Sequence, residues 1–380
     1  MTQRLAIHTL VESRPDAAAI DAWMAGRRFP VVEGSRVTFV YRGEVDAVAL
    51  RHWIYALETR RALERVAGTD LYYLVMDVPP RSRVEYKFEI ERGGAQEWIL
   101  DPLNPNRARD PFGSNSVLQA EGYEVPDWTR HDPRARPGTL EPMTVRSAAF
   151  GGERAVQLYL PARLRRSRRY PLLVVHDGRD YLEYAGMKVV LDNLIHRLEL
   201  PDLIVAFTSS PEREREYADD PAHGRFLTEE LVPQLGARYP LVDQPQARAL
   251  MGASFGAVAS FSTAWHHPGF WGRLLLQSGS FAFTDIGRAN RFGPMFDRVV
   301  ALVNAFREAP SAVSERVFVC CGVYEKLIYE NRSLVPLLDE TGMQVRFVES
   351  RDGHNWEHWR DRLREGLSWL FPGPLMMVYE

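Results

Sequence analysis

The stretch Met251-Gly252-Ala253-Ser254-Phe255-Gly256 constrains this chain more than any other. It is a G-x-S-x-G box. The mostly apolar run Ala247-Arg248-Ala249-Leu250 precedes it, and Ala257-Val258-Ala259-Ser260-Phe261 follows. The first run suits a buried strand, and the small residues after the box suit a helix packed closely on a sheet. Strand, glycine-flanked serine and helix together describe a nucleophile elbow, a turn sharp enough to project the serine Oγ above the sheet. Glycines at both flanks let the backbone pass where a Cβ would clash. The box alone recurs by chance in many chains, so its surroundings decide the reading.

Those surroundings are a series of nearly continuous apolar runs: Tyr170-Pro171-Leu172-Leu173-Val174-Val175, Leu203-Ile204-Val205-Ala206-Phe207, Leu250-Met251, Leu274-Leu275-Leu276, Val317-Phe318-Val319-Cys320-Cys321 and Val345-Arg346-Phe347-Val348. Helix-like stretches such as 226–238 and 355–370 lie between or after them. Strands apolar on both faces and alternating with helices predict a parallel α/β sheet. The first third of the chain follows a different rule. Val37, Phe39 and Tyr41 recur at every second position, as do Leu71, Tyr73 and Val75, and then Val84, Tyr86, Phe88 and Ile90. A period of two marks half-buried antiparallel strands. Gly43, Gly68 and Gly93-Gly94 punctuate them, and a turn-rich loop from Asp101 leads to a last short strand at Val117-Leu118. About 100 residues of such strands predict an immunoglobulin-like β-sandwich. A helix over Ala17–Met24, with Ser13 as its cap and Pro15 in its first turn, precedes them. Pro126, Pro133, Pro137 and Gly138 mark residues 126–138 as an interdomain linker. The reading is therefore residues 1–138 as an N-terminal β-sandwich with linker and 139–380 as an α/β catalytic domain.

Composition excludes several classes. With 45% hydrophobic and 26% charged residues the chain is that of a soluble globular protein. A net charge of -3 implies neither a nucleic-acid nor a membrane partner. Met1-Thr2-Gln3-Arg4 opens no apolar leader and no stretch is long enough to span a bilayer, so the expected location is cytoplasmic. Cys320 and Cys321 are adjacent in an apolar run, which fits buried strand residues in a reducing compartment rather than a redox pair. No ligand spacing for a metal is present: His266 and His267 are neighbours and read as surface residues. No glycine loop for phosphate appears, and no cofactor is expected. The sequence leaves the oligomeric state open.

A serine hydroxyl becomes a nucleophile when an imidazole takes its proton. The imidazole in turn needs a carboxylate to fix its tautomer. In α/β-hydrolases these follow in the order Ser, Asp or Glu, His. Here Ser254 is followed by Glu325, in Gly322-Val323-Tyr324-Glu325, and by His354, in Asp352-Gly353-His354-Asn355-Trp356. Each comes just after a predicted strand, where open α/β sheets place ligands. Glu330, Asp339 and Asp352 are alternative acids, and a Ser–His dyad is a further arrangement. The expected oxyanion donors are the N–H of Phe255 and one from the loop Gly178-Arg179-Asp180.

From about Met143 onward these residues resemble the enterochelin esterases, within the wider esterase D group. The resemblance rests on the Asp177-Gly178 loop, Arg213-Glu214-Arg215-Glu216-Tyr217, Thr228-Glu229-Glu230-Leu231-Val232-Pro233, the box around Ser254, Gln277-Ser278-Gly279-Ser280, Gly322-Val323-Tyr324-Glu325 and Gly353-His354-Asn355-Trp356. The N-terminal part is similar to that family's sandwich domain through Arg36-Val37-Thr38-Phe39, Glu85-Tyr86-Lys87-Phe88 and Asp101-Pro102-Leu103-Asn104-Pro105. The resemblance implies an α/β-hydrolase fold and hydrolysis of a small-molecule ester, with a ferric catecholate siderophore such as enterobactin as one family substrate. It also takes in relatives that remove acetyl or feruloyl groups from polysaccharides. A catalytically silent ligand-binding protein is the alternative outside enzymes. Two departures stand out: Ala257, where many relatives have a second glycine, and His176 before Asp177. Arg213 is expected either to hold an anionic or catecholate group or to pair with Glu216. The sandwich is expected to wall one side of a bulky substrate, with Trp53, Tyr55 and Trp98 read mainly as core.

Overall fold

The computed structural model of the protein describes residues 4–284 and 294–374, so the opening residues 1–3 lie outside it. The chain divides into two compact units. A β unit comprises Met1–Val125 together with the short stretches Val323–Glu325 and Ser350–Asn355. An α/β unit comprises Pro126–Gly322, Lys326–Glu349 and Trp356–Glu380.

In the β unit, strands Val31–Glu33, Arg36–Arg42, Leu71–Asp77 and Glu64–Arg65 form one antiparallel sheet. Arg60–Ala62, Ala47–His52, Arg83–Arg92, Gly113–Gln119 and Arg107–Asp110 form a second, with Ala95–Ile99 added to Arg83–Arg92. The period-two residues explain how the sheets meet. Val37, Phe39 and Tyr41 from one share a buried core with Val84, Tyr86, Phe88 and Ile90 from the other, and Phe39 packs edge-on against Tyr86 at 5.0 Å. Leu71–Asp77 sends Tyr72 and Met76 into that core and Leu71 to the opposite face. There Ile7, Leu10 and Ile20 cover it from helices Ala6–Glu12 and Ala17–Met24.

Ala17–Met24 forms where expected, but Ser13 does not cap it. Asp16 does, its carboxylate accepting the Ala19 N–H at 2.8 Å. An N-cap must reach the second or third helical N–H, and Ser13 stands too far upstream, beyond Arg14 with its positive φ of 52°. Ser13 instead closes Ala6–Glu12, its hydroxyl donating to the Leu10 carbonyl at 2.6 Å. Trp53, Tyr55 and Trp98 are not core: they are 49%, 37% and 50% exposed. Trp98 turns outward, its ring under the Arg51 guanidinium and its indole N–H donating to Glu89.

The α/β unit is built on one eight-stranded sheet, β1 (Thr139–Ser147), β2 (Gly152–Leu160), β3 (Leu172–Val175), β4 (Ile204–Thr208), β5 (Arg248–Ala253), β6 (Arg273–Gln277), β7 (Arg316–Gly322) and β8 (Gln344–Ser350). Their order is β1-β2-β4-β3-β5-β6-β7-β8. β3 to β7 are parallel, while the hairpin β1–β2 joins antiparallel at one edge. The expected apolar runs are β3 to β8. β3 shows why they read as continuous: Leu172 and Val174 enter one core, Leu173 and Val175 the core on the other face. The hairpin was not anticipated, because an edge strand such as β1 buries only alternate residues near its end. Among the helices are α1 (Gly178–Glu183), α2 (Met187–His196), α3 (Phe255–His266), α4 (Pro294–Glu308), α5 (Ile328–Glu340) and α6 (Trp356–Leu370). Cys320 and Cys321 are free and buried in β7. Among the described residues no helix is long and apolar enough to cross a membrane.

Residues 126–138 belong to the α/β unit and are built onto α2. Trp128 is buried in the core behind β3, and the Asn193 side chain donates to the Trp128 and Arg130 carbonyls at 2.8 and 2.7 Å. Asp192 accepts the Gly138 N–H at 2.8 Å. Truncating a buried tryptophan removes a large apolar contact and leaves a cavity. Trp128→Ala should therefore cost about 3–5 kcal/mol in urea unfolding. A value within about 0.5 kcal/mol of wild type, typical of an exposed connector, would show that this stretch adds nothing to the α/β unit.

Candidate active site

β5 ends at Ala253 and α3 begins at Phe255, so the whole turn falls on Ser254. Its backbone sits at φ 57°, ψ −119°. A side chain held in so sparsely populated a region costs on the order of 1–3 kcal/mol and persists only where neighbours over-determine it. Here they do. The Ser254 N–H donates to the Gln277 carbonyl at the end of β6 at 2.9 Å. A methyl at Gly252 would come within 2.4 Å of the Gly256 backbone, and one at Gly256 within 3.1 Å of His176 Cβ. Gly252 is thus required by close approach, and Gly256 sits in tight contact with His176. The Ser254 hydroxyl lies 3.2 Å from that of Ser280.

β3 ends against this elbow. His176 is fully buried, its Nδ1 3.0 Å from the Met251 carbonyl of β5 and 3.0 Å from Ser260 Oγ of α3. Its Nε2 lies 3.0 Å from Nε2 of buried His223. The Ser260 hydroxyl donates to the Gly256 carbonyl. The Nδ1–H of His176 then serves Met251, and its Nε2 accepts the proton of His223. No pattern in the sequence flags this pairing; only the polar residue closing an apolar run hints at it. Next comes Asp177 in the left-handed region, φ 52°. Arg213 grips its carboxylate through Nε and Nη2 at 2.8 and 2.7 Å, and its N–H donates to the Tyr217 hydroxyl at 3.1 Å. Arg213 therefore does not pair with Glu216, whose carboxylate is taken by Arg154 at 2.8 and 3.2 Å. Burial works against the Arg213 charge, but Asp177 outweighs it and holds the guanidinium above its ordinary value. A methyl at Gly178 would come within 2.4 Å of Phe207 in β4. Gly178 and Arg179 open α1 and Phe255 opens α3, where backbone N–H groups have no intrahelical acceptor.

Glu325 and His354 belong to the β unit. His354 Nδ1 lies 2.6 Å from Glu325 Oε2, the carboxylate buried and the ring partly exposed. Of the alternative acids, Asp352 accepts the Gly353 N–H and the Asn355 side chain, each at 2.7 Å, and faces Arg83. Asp339 is exposed on α5 and Glu330 is buried on the same helix. A carboxylate on Nδ1 selects the tautomer whose Nε2 carries the lone pair, the form a base requires. Among the described residues, no group of three or more His, Cys, Asp or Glu could hold a metal ion.

An Esterase family model matches residues 147–370, more than half of the chain. The chain belongs to this esterase family. The iron(III) enterobactin esterase of Dickeya dadantii is 25% identical over 97% of this chain and 96% of its own. Two solved structures share the fold. The ferric enterobactin esterase of Salmonella typhimurium superposes with a TM-score of 0.75 at 22% identity, over 92% of this chain and 98% of that one. The enterobactin esterase of Shigella flexneri, solved in the presence of enterobactin, gives 0.73 at 20% over 92% and 97%. The resemblance to enterochelin esterases is borne out along almost the whole chain, and ester hydrolysis is the chemistry it carries.

Burial fixes the electrostatics behind the elbow of this esterase. It pushes His176 down to about 4, opposed only in part by the Met251 carbonyl and Asp177. Burial and then the His176 ring hold His223 well below its usual range. Glu216 lies 4.0 Å from His223 Nδ1 but is neutralised by Arg154, so it does not recruit a proton there. A ring protonated at 6.5 when unfolded but only at about 4 when folded leaves stability intact above 6.5. Stability then falls as pH drops through that window, by about 3 kcal/mol for His176 alone. Urea midpoints from pH 8 to pH 4 should trace this loss. His176→Gln, which takes no proton, should flatten it, and an unchanged slope in the variant would remove His176 as its origin.

Proposed function

We propose that the protein is a serine esterase that hydrolyses the ester bonds of a catecholate siderophore of the enterobactin type. The observation that carries the mechanism is the strained elbow at Ser254, in a chain whose His354 already has a carboxylate on Nδ1. The substrate class is supported by similarity to enterobactin esterases along nearly the full length, β unit included.

In this reading Ser254 Oγ attacks the ester carbonyl carbon as His354 Nε2 takes its proton. The N–H groups of Phe255 and of Gly178 or Arg179 receive the charge that develops on the carbonyl oxygen. Collapse breaks the carbon–oxygen bond, and His354 returns the proton to the leaving alkoxide. Water, deprotonated by the same imidazole, then cleaves the acyl-Ser254 ester and restores the hydroxyl. Glu325 stays ionised throughout and stabilises the imidazolium. No cofactor enters the scheme. Arg213 braces the Asp177 turn, so a substrate anion reaching it would share the guanidinium with Asp177. The free cysteines buried in β7 fit a cytoplasmic location.

Ser254→Ala should stay folded and lower kcat by several orders of magnitude, on the order of 10⁶ as in characterised triads. A phosphonate should label Ser254, and labelling of another residue would refute the nucleophile. Glu325→Gln should lower kcat on the order of 10⁴ with little change in KM. Mass spectrometry should show a catecholate trilactone cut to dihydroxybenzoyl-serine units, while acetylated and feruloylated sugars remain intact. The reverse outcome would reassign the enzyme to carbohydrate esters.

A further inference from the structure

Arg83 stands on the strand Arg83–Arg92, at the position whose side chain alternates away from the sandwich core of Val84, Tyr86 and Phe88. Such a position ordinarily faces water. Its side chain is nevertheless only 1% exposed. The covering stretch is Ser350–Asn355, which carries His354. The guanidinium donates to Asn355 Oδ1 at 2.9 Å and Asp352 Oδ1 at 3.3 Å through Nη1, and to Glu85 Oε1 at 2.9 Å through Nη2. The Arg83 N–H donates to the Arg351 carbonyl at 2.9 Å, and Arg351 returns a bond to the Pro80 carbonyl at 2.7 Å. Asp352 and Asn355 bracket His354, and Asp352 also accepts the Gly353 N–H at 2.7 Å.

The residue before Glu325 is held from the same side. The Tyr324 hydroxyl meets the Ser82 hydroxyl at 2.5 Å, and its ring packs on the sandwich core. Its carbonyl accepts the Tyr55 N–H at 2.8 Å, and its N–H donates to the Asp352 carbonyl at 3.1 Å. Ser82 and Arg83 thus anchor, side by side, the two short stretches that carry Glu325 and His354.

We propose that Arg83 is a positioning residue for the Glu325–His354 pair, and that the β unit thereby takes part in the chemical step on any ester, small or large. The proposal rests on the reading of His354 as general base. A forked guanidinium matches this role: through Nη1 and Nη2 it meets three acceptors on two segments of chain, which a lysine ammonium does not reproduce. Displacing a base by about 1 Å can cost on the order of 10²-fold in rate. A contact with substrate would instead appear in KM.

The test is the full-length variant Arg83→Met on a small nitrophenyl ester, beside wild type, Ser254→Ala and Glu325→Gln. A second readout is the low-field Nδ1–H proton resonance of His354, identified by its loss in Glu325→Gln and independent of turnover. We expect Arg83→Met to lower kcat by about 10²-fold, to leave KM within about twofold, and to shift or broaden that resonance. Wild-type kcat in Arg83→Met, with Ser254→Ala inactive, would overturn the proposal and leave the esterase reading intact. An active Ser254→Ala would overturn the reading itself. A lowered kcat with the resonance unmoved would also overturn the proposal, since the loss would then lie elsewhere. Where Arg83→Met yields no folded protein, Asp352→Asn, which keeps the shape but removes the charge Arg83 faces, is read by the same two measurements. Unchanged kcat and resonance there count against the proposal.

Discussion

Everything local to the elbow follows from one constraint: Ser254 must hold a positive φ between a buried strand and a buried helix. Nothing intrinsic to serine favours that conformation. It is imposed by the approach of Gly252 to Gly256 and by the wedge of His176 beneath the first turn of α3. His176 also explains why a histidine can close an apolar strand. Neutral, buried and bonded to Met251, it ties the ends of β3 and β5 together. The same wedge sets the start of the Asp177 turn, so elbow and neighbouring loop are adjusted by one side chain.

Much of this was legible in the sequence because burial leaves a period. Two-sided strands of the α/β unit read as continuous apolar runs, and these are β3 to β8; alternation marks Arg83–Arg92, and also Arg36–Arg42, where Val40 on the second face is covered by the N-terminal helices. The Glu325–His354 contact was legible by chain order and by the places of both residues after strands. What stayed hidden has no period. Arg83 occupies a position that alternation assigns to solvent, and a stretch near residue 350, distant in sequence, binds it. His176 and His223 are 47 residues apart, and no rule of spacing pairs them. The expected Arg213–Glu216 pairing failed in the same way: Glu216 is near in sequence, but Arg154 from β2 claims it. Trp53 and Trp98 misled because aromatic size suggests burial, whereas here a cation and a carboxylate dress an outward ring.

The division of the chain into units separates the proposed site residues unequally. Ser254 and the helix N-termini at Gly178 and Phe255 sit on the α/β unit. Glu325 and His354 belong to the β unit, on whose second sheet the buried Arg83 binds both Glu85, itself held by Asn115, and the stretch that carries His354. A polar face under cover is costly unless every group finds a partner. That requirement makes the cover exacting, and it suits a surface whose task is to fix position rather than to add stability.

The discontinuity of the β unit also bears on how the protein emerges from the ribosome. Ser82 waits 242 residues for Tyr324, and Arg83 waits 269 for Asp352. At roughly 5–20 residues per second, that interval is on the order of 15–50 s. Through it the two sheets can close on their shared core, but the polar face of the second remains solvated and its last segments are missing. The first unit to be translated is therefore among the last to be completed. A nascent chain stalled before residue 350 holds an N-terminal unit that still lacks its final piece, however early its own strands were made.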